Sequence, residues 1–147
     1  MILDTTYLLP LAQIATDTDL LAAMAKGEAN SRLEDVAVSL ISIFELQAKA
    51  VKLAVPAKTT VKAIDAIVAG FRVIPFDGSD IVETSYRVRK MIPDYIDCVI
   101  VATAIAAKEE LVTEDSLVQA KKDAIKEEYK LKVLNFKDMV RLQRSLR

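Results

Sequence analysis

Val36-Ala37-Val38-Ser39-Leu40-Ile41-Ser42-Ile43-Phe44-Glu45 reads as a strand that runs straight into a helix. Val36 to Ile41 is rich in β-branched and leucine side chains and has no alternating polar face, as expected of a parallel strand covered on both sides. Ser42 and Glu45 then stand at capping-box spacing, which predicts a helix from Ser42 to about Leu53. A strand buried on both faces that feeds a helix is half of a crossover unit, so the rest of the chain should supply further strand–helix pairs.

It does so in both directions. Toward the amino end, Ile2 and Leu3 form a short apolar run closed by Asp4, with Thr5 and Thr6 as capping hydroxyls. Two helices are expected next, Tyr7 to Ile14 and Asp17 to Lys26, the second stopped by Gly27. Toward the carboxyl end, Pro56 suits the first turn of a helix ending near Gly70, and Arg72 to Phe76 is a strand closed by Asp77-Gly78. A helix from about Asp80 to Met91 precedes the breaker Pro93, and Asp94 to Lys108 is an alanine-rich helix. Glu110 to Thr113 is a strand, Asp115 to Glu128 a helix, Lys132 to Leu134 a strand and Phe136 to Leu146 a helix. Strands alternating with helices predict a three-layer α/β/α fold around a central parallel sheet of about five strands. With no repeat, low-complexity segment or long linker, residues 1–147 are expected to form a single domain.

Composition narrows the classes. A chain of 147 residues can bury roughly two thirds of its unfolded surface. Its longest uncharged apolar run, Cys98 to Ala107, is ten residues against the roughly 18 needed to span a bilayer, so no membrane role is expected. The amino terminus lacks a basic secretory region and one cysteine allows no internal disulfide, so a cytoplasmic location is the expectation. An apolar content of 52% suggests one additional covered face, as in a homodimer. The net charge of −1 is uneven: residues 121–147 hold nine Lys/Arg and four Asp/Glu, leaving the remainder acidic. That basic tail, with Arg141 and Arg144, could meet nucleic-acid phosphates or be a solvated helix face.

Asp4, Glu45, Asp97 and Asp115 each stand where an apolar run gives way to a helix pattern. In an open α/β sheet such positions converge on a crevice at the carboxyl ends of the strands. Carboxylates gathered there cannot all stay ionised unless a cation holds them. With no histidine and one cysteine, the oxygen-only donor set points to Mg²⁺, with Mn²⁺ as the alternative. Taken singly, each acid has a plainer explanation. Asp4, Asp94 and Asp115 can cap helices, Asp97 can occupy a favourable third helical position, and Glu45 can complete the capping box with Ser42. The reading as ligands rests on the set, because caps need not come from several elements sharing one edge.

The same residues resemble the PIN domain ribonuclease family, typified by VapC toxins. Ile2-Leu3-Asp4-Thr5-Thr6-Tyr7-Leu8-Leu9 is similar to its opening motif, and Ser42-Ile43-Phe44-Glu45-Leu46 to its second acidic motif. Asp97-Cys98-Val99-Ile100-Val101-Ala102-Thr103-Ala104 resembles the third and Leu111-Val112-Thr113-Glu114-Asp115 the fourth, with Lys132-Val133-Leu134-Asn135-Phe136 as the last strand and turn. The resemblance implies that Asp4, Glu45 and Asp97 bind the metal, directly or through water, and that Asp115 completes the quartet. It implies supporting roles for Thr6 and Thr113, leaves Asp94 between added acidity and capping, and leaves Glu114 outside the core. The implied activity is endonucleolytic hydrolysis of RNA to a 5′-phosphate and a 3′-hydroxyl. A site of this kind polarises the phosphodiester and makes water nucleophilic near neutral pH without histidine. The resemblance further implies a toxin of a type II pair, neutralised by a cognate antitoxin. Arg87, Arg89 and Lys90 could contact RNA phosphates or form a solvated face, and Cys98 reads as a packing residue.

Three rivals remain. An aspartyl-phosphate phosphatase of the haloacid-dehalogenase type needs a second aspartate two positions after the first, where this chain has Thr6. A receiver domain would use Asp77 as acceptor but wants paired acids after the first strand, where only Asp4 stands. A catalytically weak PIN-like module that binds RNA or protein is the more serious alternative, and the intact acidic quartet weighs against it.

Overall fold

A computed structural model describes the backbone of residues 1–145 and the side chains of residues 1–140. Its centre is one sheet of β1 (Ile2–Leu3), β2 (Ala37–Ser39), β3 (Arg72–Ile74), β4 (Leu111–Val112) and β5 (Val133–Leu134). The strand order is β3-β2-β1-β4-β5 and every neighbouring pair is parallel. Helices α1 (Leu20–Ala25), α2 (Leu40–Lys52), α3 (Ala57–Gly70) and α4 (Ser79–Val88) occupy the first part of the chain. They are followed by α5 (Tyr95–Ala107), α6 (Ser116–Ala120), α7 (Lys122–Tyr129) and α8 (Phe136–Ser145). This is the expected α/β/α sandwich.

Strand alternation explains the two cores. Leu3, Val38, Val112 and Leu134 point to one face, where they meet Leu20, Met24, Leu46, Ile67 and Met139. Their neighbours Ile2, Ala37, Leu111 and Val133 point to the other face, onto Val88, Ile92, Ile100, Val118 and Ile125. Side chains on a strand switch faces at every residue, so a sheet covered on both sides needs apolar residues in succession. Burial of a single such leucine or isoleucine contributes about 1.5–3 kcal/mol.

The boundaries differ from the sequence expectation in instructive ways. The strands are two or three residues long, because the chain turns into a cap as soon as it clears the sheet. Ser39, not Ser42, caps α2: it is extended, and its hydroxyl accepts from the Ile41 amide at 3.3 Å. The helix thus starts early enough to swallow Ser42, whose hydroxyl is buried with no hydrogen-bond partner among the described residues. Glu45 is therefore released from the expected capping box. The segment after Asp4 is a 3₁₀ helix (Thr5–Ala12) with Pro10 inside it, where the missing N–H and the ring's bulk disfavour an α-helix. The single helix expected over Asp115 to Glu128 is divided into α6 and α7 at Lys121. Among the described residues, no helix is long and apolar enough to cross a membrane.

The strand order also locates a crevice. From the central β1 the chain builds outward through β2 and β3, then returns to the other side of β1 for β4 and β5. The connections leaving β1 and β4 diverge, so a cleft opens above their carboxyl ends.

Candidate metal and active site

Two strand ends are sewn together at that cleft. Asp4 follows β1 in an extended conformation, and its Oδ1 accepts from the Thr5 amide at 2.7 Å, capping the 3₁₀ helix. Its other oxygen, Oδ2, accepts from the Thr113 hydroxyl at 2.6 Å. Thr113 follows β4, and its Oγ1 in turn accepts from the Asp115 amide at 3.0 Å. Asp115 caps α6 by accepting from the Val118 amide at 2.9 Å. Asp94 caps α5 by accepting from the Asp97 amide at 3.2 Å, which puts Asp97 in that helix's first turn. For Asp4 and Asp115 capping and convergence have one cause, because the helices that follow β1 and β4 start at the same edge of the sheet; α5 follows α4 instead, and Asp94 and Asp97 reach the cleft from its amino end.

Glu45 comes from the second turn of α2, and Lys49 stands one turn further along the same face. Asp4, Glu45, Asp94, Asp97 and Asp115, together with Thr6, Lys49 and Glu114, line a cleft of about 270 Å³. Burial raises the Asp4 carboxyl above its ordinary range and the Glu45 charge adds to this, against the hydrogen bonds from Thr113 and Thr5 and the Lys49 charge. Asp97 is pushed up to about 7 by burial and by the charges of Asp115, Asp4, Asp94 and Glu45. Burial raises Glu114 as well, with Asp138 contributing, although its Oε1 accepts from the Phe136 amide at 3.3 Å.

A hard divalent cation fits this donor set. The cleft offers carboxylate oxygens without thiolate or imidazole, and the mutual repulsion that raises Asp97 is what a cation would relieve. Among the described residues, no group of three or more acids stands close enough together, as placed, to hold a metal ion.

Most of the residues expected from the sequence are here. Asp4, Glu45, Asp94, Asp97, Asp115 and Thr6 line the cleft, while Thr113 stands behind Asp4 and holds it. The cations expected before α5 do not line it. Arg87 turns aside to donate to the Thr84 hydroxyl at 3.1 Å, beside Tyr129. Arg89 lines a separate depression with Tyr86 and Tyr95, and Lys90 is exposed in the turn after α4. Arg141 and Arg144 have side chains outside the described residues. Cys98 is a packing residue: it is fully buried, its thiol donates to the Ile92 carbonyl at 3.2 Å, and burial pushes it up to about 11. Sequence reading missed Lys49 and set Glu114 aside. Lys49 was accessible, since it is four residues from Glu45 and so shares its helix face. Glu114 carried no comparable signal, because its direction is set by the turn between β4 and α6.

These features define an α/β domain with an acid-lined cleft at the switch point of a parallel sheet. The chain belongs to the PIN domain family, a family of nucleases, whose profile matches residues 1–125. Solved structures agree on the fold. A toxin–antitoxin complex from Klebsiella pneumoniae contains a chain 25% identical, with a TM-score of 0.57 over 78% of this chain and 86% of that one. FitAcB from Neisseria gonorrhoeae is similar at 22% identity and a TM-score of 0.63, covering 92% of this chain and 96% of its own. VapBC2 from Rickettsia felis, bound to a DNA fragment from its promoter, matches at 22% identity and 0.59, covering 91% and 96%. No curated protein matches the sequence significantly.

Proposed function

We propose that the chain is a single nuclease domain acting as a Mg²⁺- or Mn²⁺-dependent endoribonuclease, the toxin of a type II toxin–antitoxin pair. The observation that carries this reading is the gathering of six acids, Asp4, Glu45, Asp94, Asp97, Glu114 and Asp115, into one cleft, where burial and repulsion push Asp97 up to about 7.

Asp4, Glu45 and Asp97 are the proposed metal-binding carboxylates, with Asp115 completing the set and Asp94 adding negative charge at the rim. Thr113 fixes the orientation of Asp4 by donating to Oδ2, and Thr6 borders the place where a water or substrate oxygen would sit. Bound Mg²⁺ or Mn²⁺ supplies charge neutralisation of the phosphodiester and activation of water. A cleft carboxylate would accept the proton of the attacking water, and Lys49 offers a cation to a phosphate oxygen. In-line attack would form the new P–O bond and break the P–O3′ bond, and the departing 3′-oxygen would take a proton from solvent, leaving a 5′-phosphate and a 3′-hydroxyl.

An antitoxin partner is supported by the structural neighbours, which are toxin–antitoxin complexes. On this chain Phe44, Val51 and Leu53 from α2 and its end, with Val61 and Val68 of α3, stay exposed and offer an apolar surface for a protein partner. The reading also includes a homodimer and a cytoplasmic location.

The deciding experiment incubates purified protein with single-stranded and structured RNAs in Mg²⁺, in Mn²⁺ or in chelator, alongside Asp4→Asn and Asp97→Asn. Metal-dependent cleavage by wild type, lost in both variants, is expected. Equal cleavage by the variants would expose a contaminating nuclease and defeat the proposal. No cleavage by wild type on any RNA would return the chain to a binding module.

A further inference from the structure

The depression beside the acidic cleft is built from two tyrosines and an arginine, and the proposed chemistry leaves all three unused. Tyr86 on α4 is 69% exposed and Tyr95, the first residue of α5, is 44% exposed. Their ring centroids lie 6.1 Å apart with the planes at 88°, so they form two walls of a right-angled corner. With Arg89 they line a shallow depression of about 290 Å³. Large aromatic rings at such exposure forgo burial that each could have had, which a soluble protein tolerates best where the rings have a partner.

We propose that Tyr86, Tyr95 and Arg89 form a subsite for one unpaired nucleobase of the RNA strand that crosses the acidic cleft; this rests on the ribonuclease reading above. A planar base lying on the face of one tyrosine meets the other ring edge-on, the two geometries that aromatic quadrupoles favour. Arg89 supplies a guanidinium to the base or to its phosphate, and Lys90 adds a second cation next in sequence. The charge pattern matches a nucleotide: the Arg89 cation beside the rings, and acids at the cleft that would be filled by a metal ion.

Position relative to the cleft gives the subsite its purpose. Tyr95 directly follows Asp94, and Asp97 is two residues further along the same helix. Asp94 lines the cleft and Tyr95 lines the depression, so the two adjoin at the start of α5, where a strand leaving the cleft would meet the tyrosines. Stacking selects for single-stranded RNA, because a base held in a duplex presents no free face. It also fixes which phosphodiester lies over the acids.

The test measures binding of a short single-stranded RNA of about eight nucleotides, and of a sugar–phosphate oligomer of equal length without bases, in the cleavage-deficient Asp97→Asn background. RNA should bind more tightly than the base-free oligomer. Tyr86→Ala and Tyr95→Ala should each weaken RNA binding by about fivefold to a hundredfold and leave the base-free oligomer unaffected. Tyr86→Phe and Tyr95→Phe should restore it, because the ring face and not the hydroxyl carries stacking. The chain has no tryptophan, so RNA should directly quench tyrosine emission, and this quenching should be lost in the alanine variants. Equal binding of the two oligomers, or wild-type affinity in both alanine variants, overturns the subsite while ribonuclease activity stands. A drop in molecular mass on Tyr86→Ala with RNA affinity unchanged overturns it in favour of a face for a second copy of this chain. If neither oligomer binds and wild type cleaves no RNA, the ribonuclease reading fails first and the subsite falls with it.

Discussion

Thr113 and Asp4 are 109 residues apart in sequence, yet the Thr113 hydroxyl donates to Asp4 Oδ2 at 2.6 Å. That bond joins the ends of β1 and β4 and sets the direction of the most buried acid in the cleft. Removing the donor by Thr113→Val should leave Asp4 free to rotate and lower divalent-ion affinity by about tenfold or more, the usual effect of losing a residue that orients a ligand. Thr113→Ser should retain most of it. Calorimetric titration with Mn²⁺ checks both variants, and an unchanged affinity in Thr113→Val would dismiss the orienting role.

Asp97→Asn should move stability and activity in opposite directions. The carboxylate is held near 7 by burial and by four neighbouring acids, so removing its charge relieves repulsion in the metal-free protein. Urea denaturation in chelator at pH 8 should therefore show the variant more stable than wild type, while metal-dependent cleavage is lost. A variant that is both inactive and less stable would mean that the Asp97 charge stabilises the first turn of α5, which Asp94 caps.

The same shift predicts a pH profile for the metal-free protein. The folded-state value for Asp97, about 7, lies above its ordinary 3.8, so the folded state holds the proton more tightly than the unfolded state. Between about pH 4 and 7 the unfolded chain has released this proton while the folded one has not, and stability falls as pH rises. Above 7 the two states are ionised alike and the profile levels. Asp4, also raised, acts in the same direction. Glu109 acts in the other, since its hydrogen bonds and ion pairs with Arg72 and the amino terminus outweigh its burial, but it is already ionised in both states above about pH 5. Melting temperature in chelator should thus decline from pH 5 to 7, and Mg²⁺ should flatten the decline. A metal-free melting temperature that climbs across this window would contradict the account.

How much of this was legible beforehand follows from the kind of signal each residue carries. Asp4 and Asp115 were readable because a cap after an apolar run marks both a helix start and a sheet edge, whereas Asp94, capping a helix that follows another helix, was left between capping and added acidity. The boundary at Val36 to Ile41 was misplaced by the competition between Ser39 and Ser42. Both can cap, and only the length of the paired strand, Ala37–Ser39 against Arg72–Ile74, decides between them. The 3₁₀ segment was readable in principle from Pro10. The direction in which Arg87 and Arg89 point was not, because the two differ by a little over half a turn at the end of a short helix, and which side faces solvent is set by its packing on α5.

Lys49 is the cation that lines the acidic cleft, and among the described residues it makes no ion pair within 4.0 Å. It therefore offsets the field of the acids without being fixed to one of them. Lys49→Gln should tighten Mg²⁺ binding by roughly 1.5- to 5-fold, the range of a weak, partly solvated charge interaction, because it removes a competing cation. If the ammonium also meets the substrate phosphate, KM for RNA should rise in the same variant. Weaker Mg²⁺ binding in Lys49→Gln would show that Lys49 organises the acids instead of competing for them.

Arg87 and Arg89 lie two positions apart and should behave differently toward RNA. Arg87 is committed to the Thr84 hydroxyl, whereas Arg89 faces the open depression beside Tyr86 and Tyr95. A side chain that neutralises one phosphate releases the counterions condensed there, so its loss reduces the slope of log affinity against log salt by about 0.7 on a single strand. Arg89→Gln should lower the slope by that amount and weaken binding at low salt, while Arg87→Gln should leave the slope unchanged. Binding of a short single-stranded RNA measured from low to moderate salt separates the two. Equal slopes for wild type and Arg89→Gln would remove Arg89 from the RNA path, and a reduced slope for Arg87→Gln would mean that its bond to Thr84 breaks when RNA arrives.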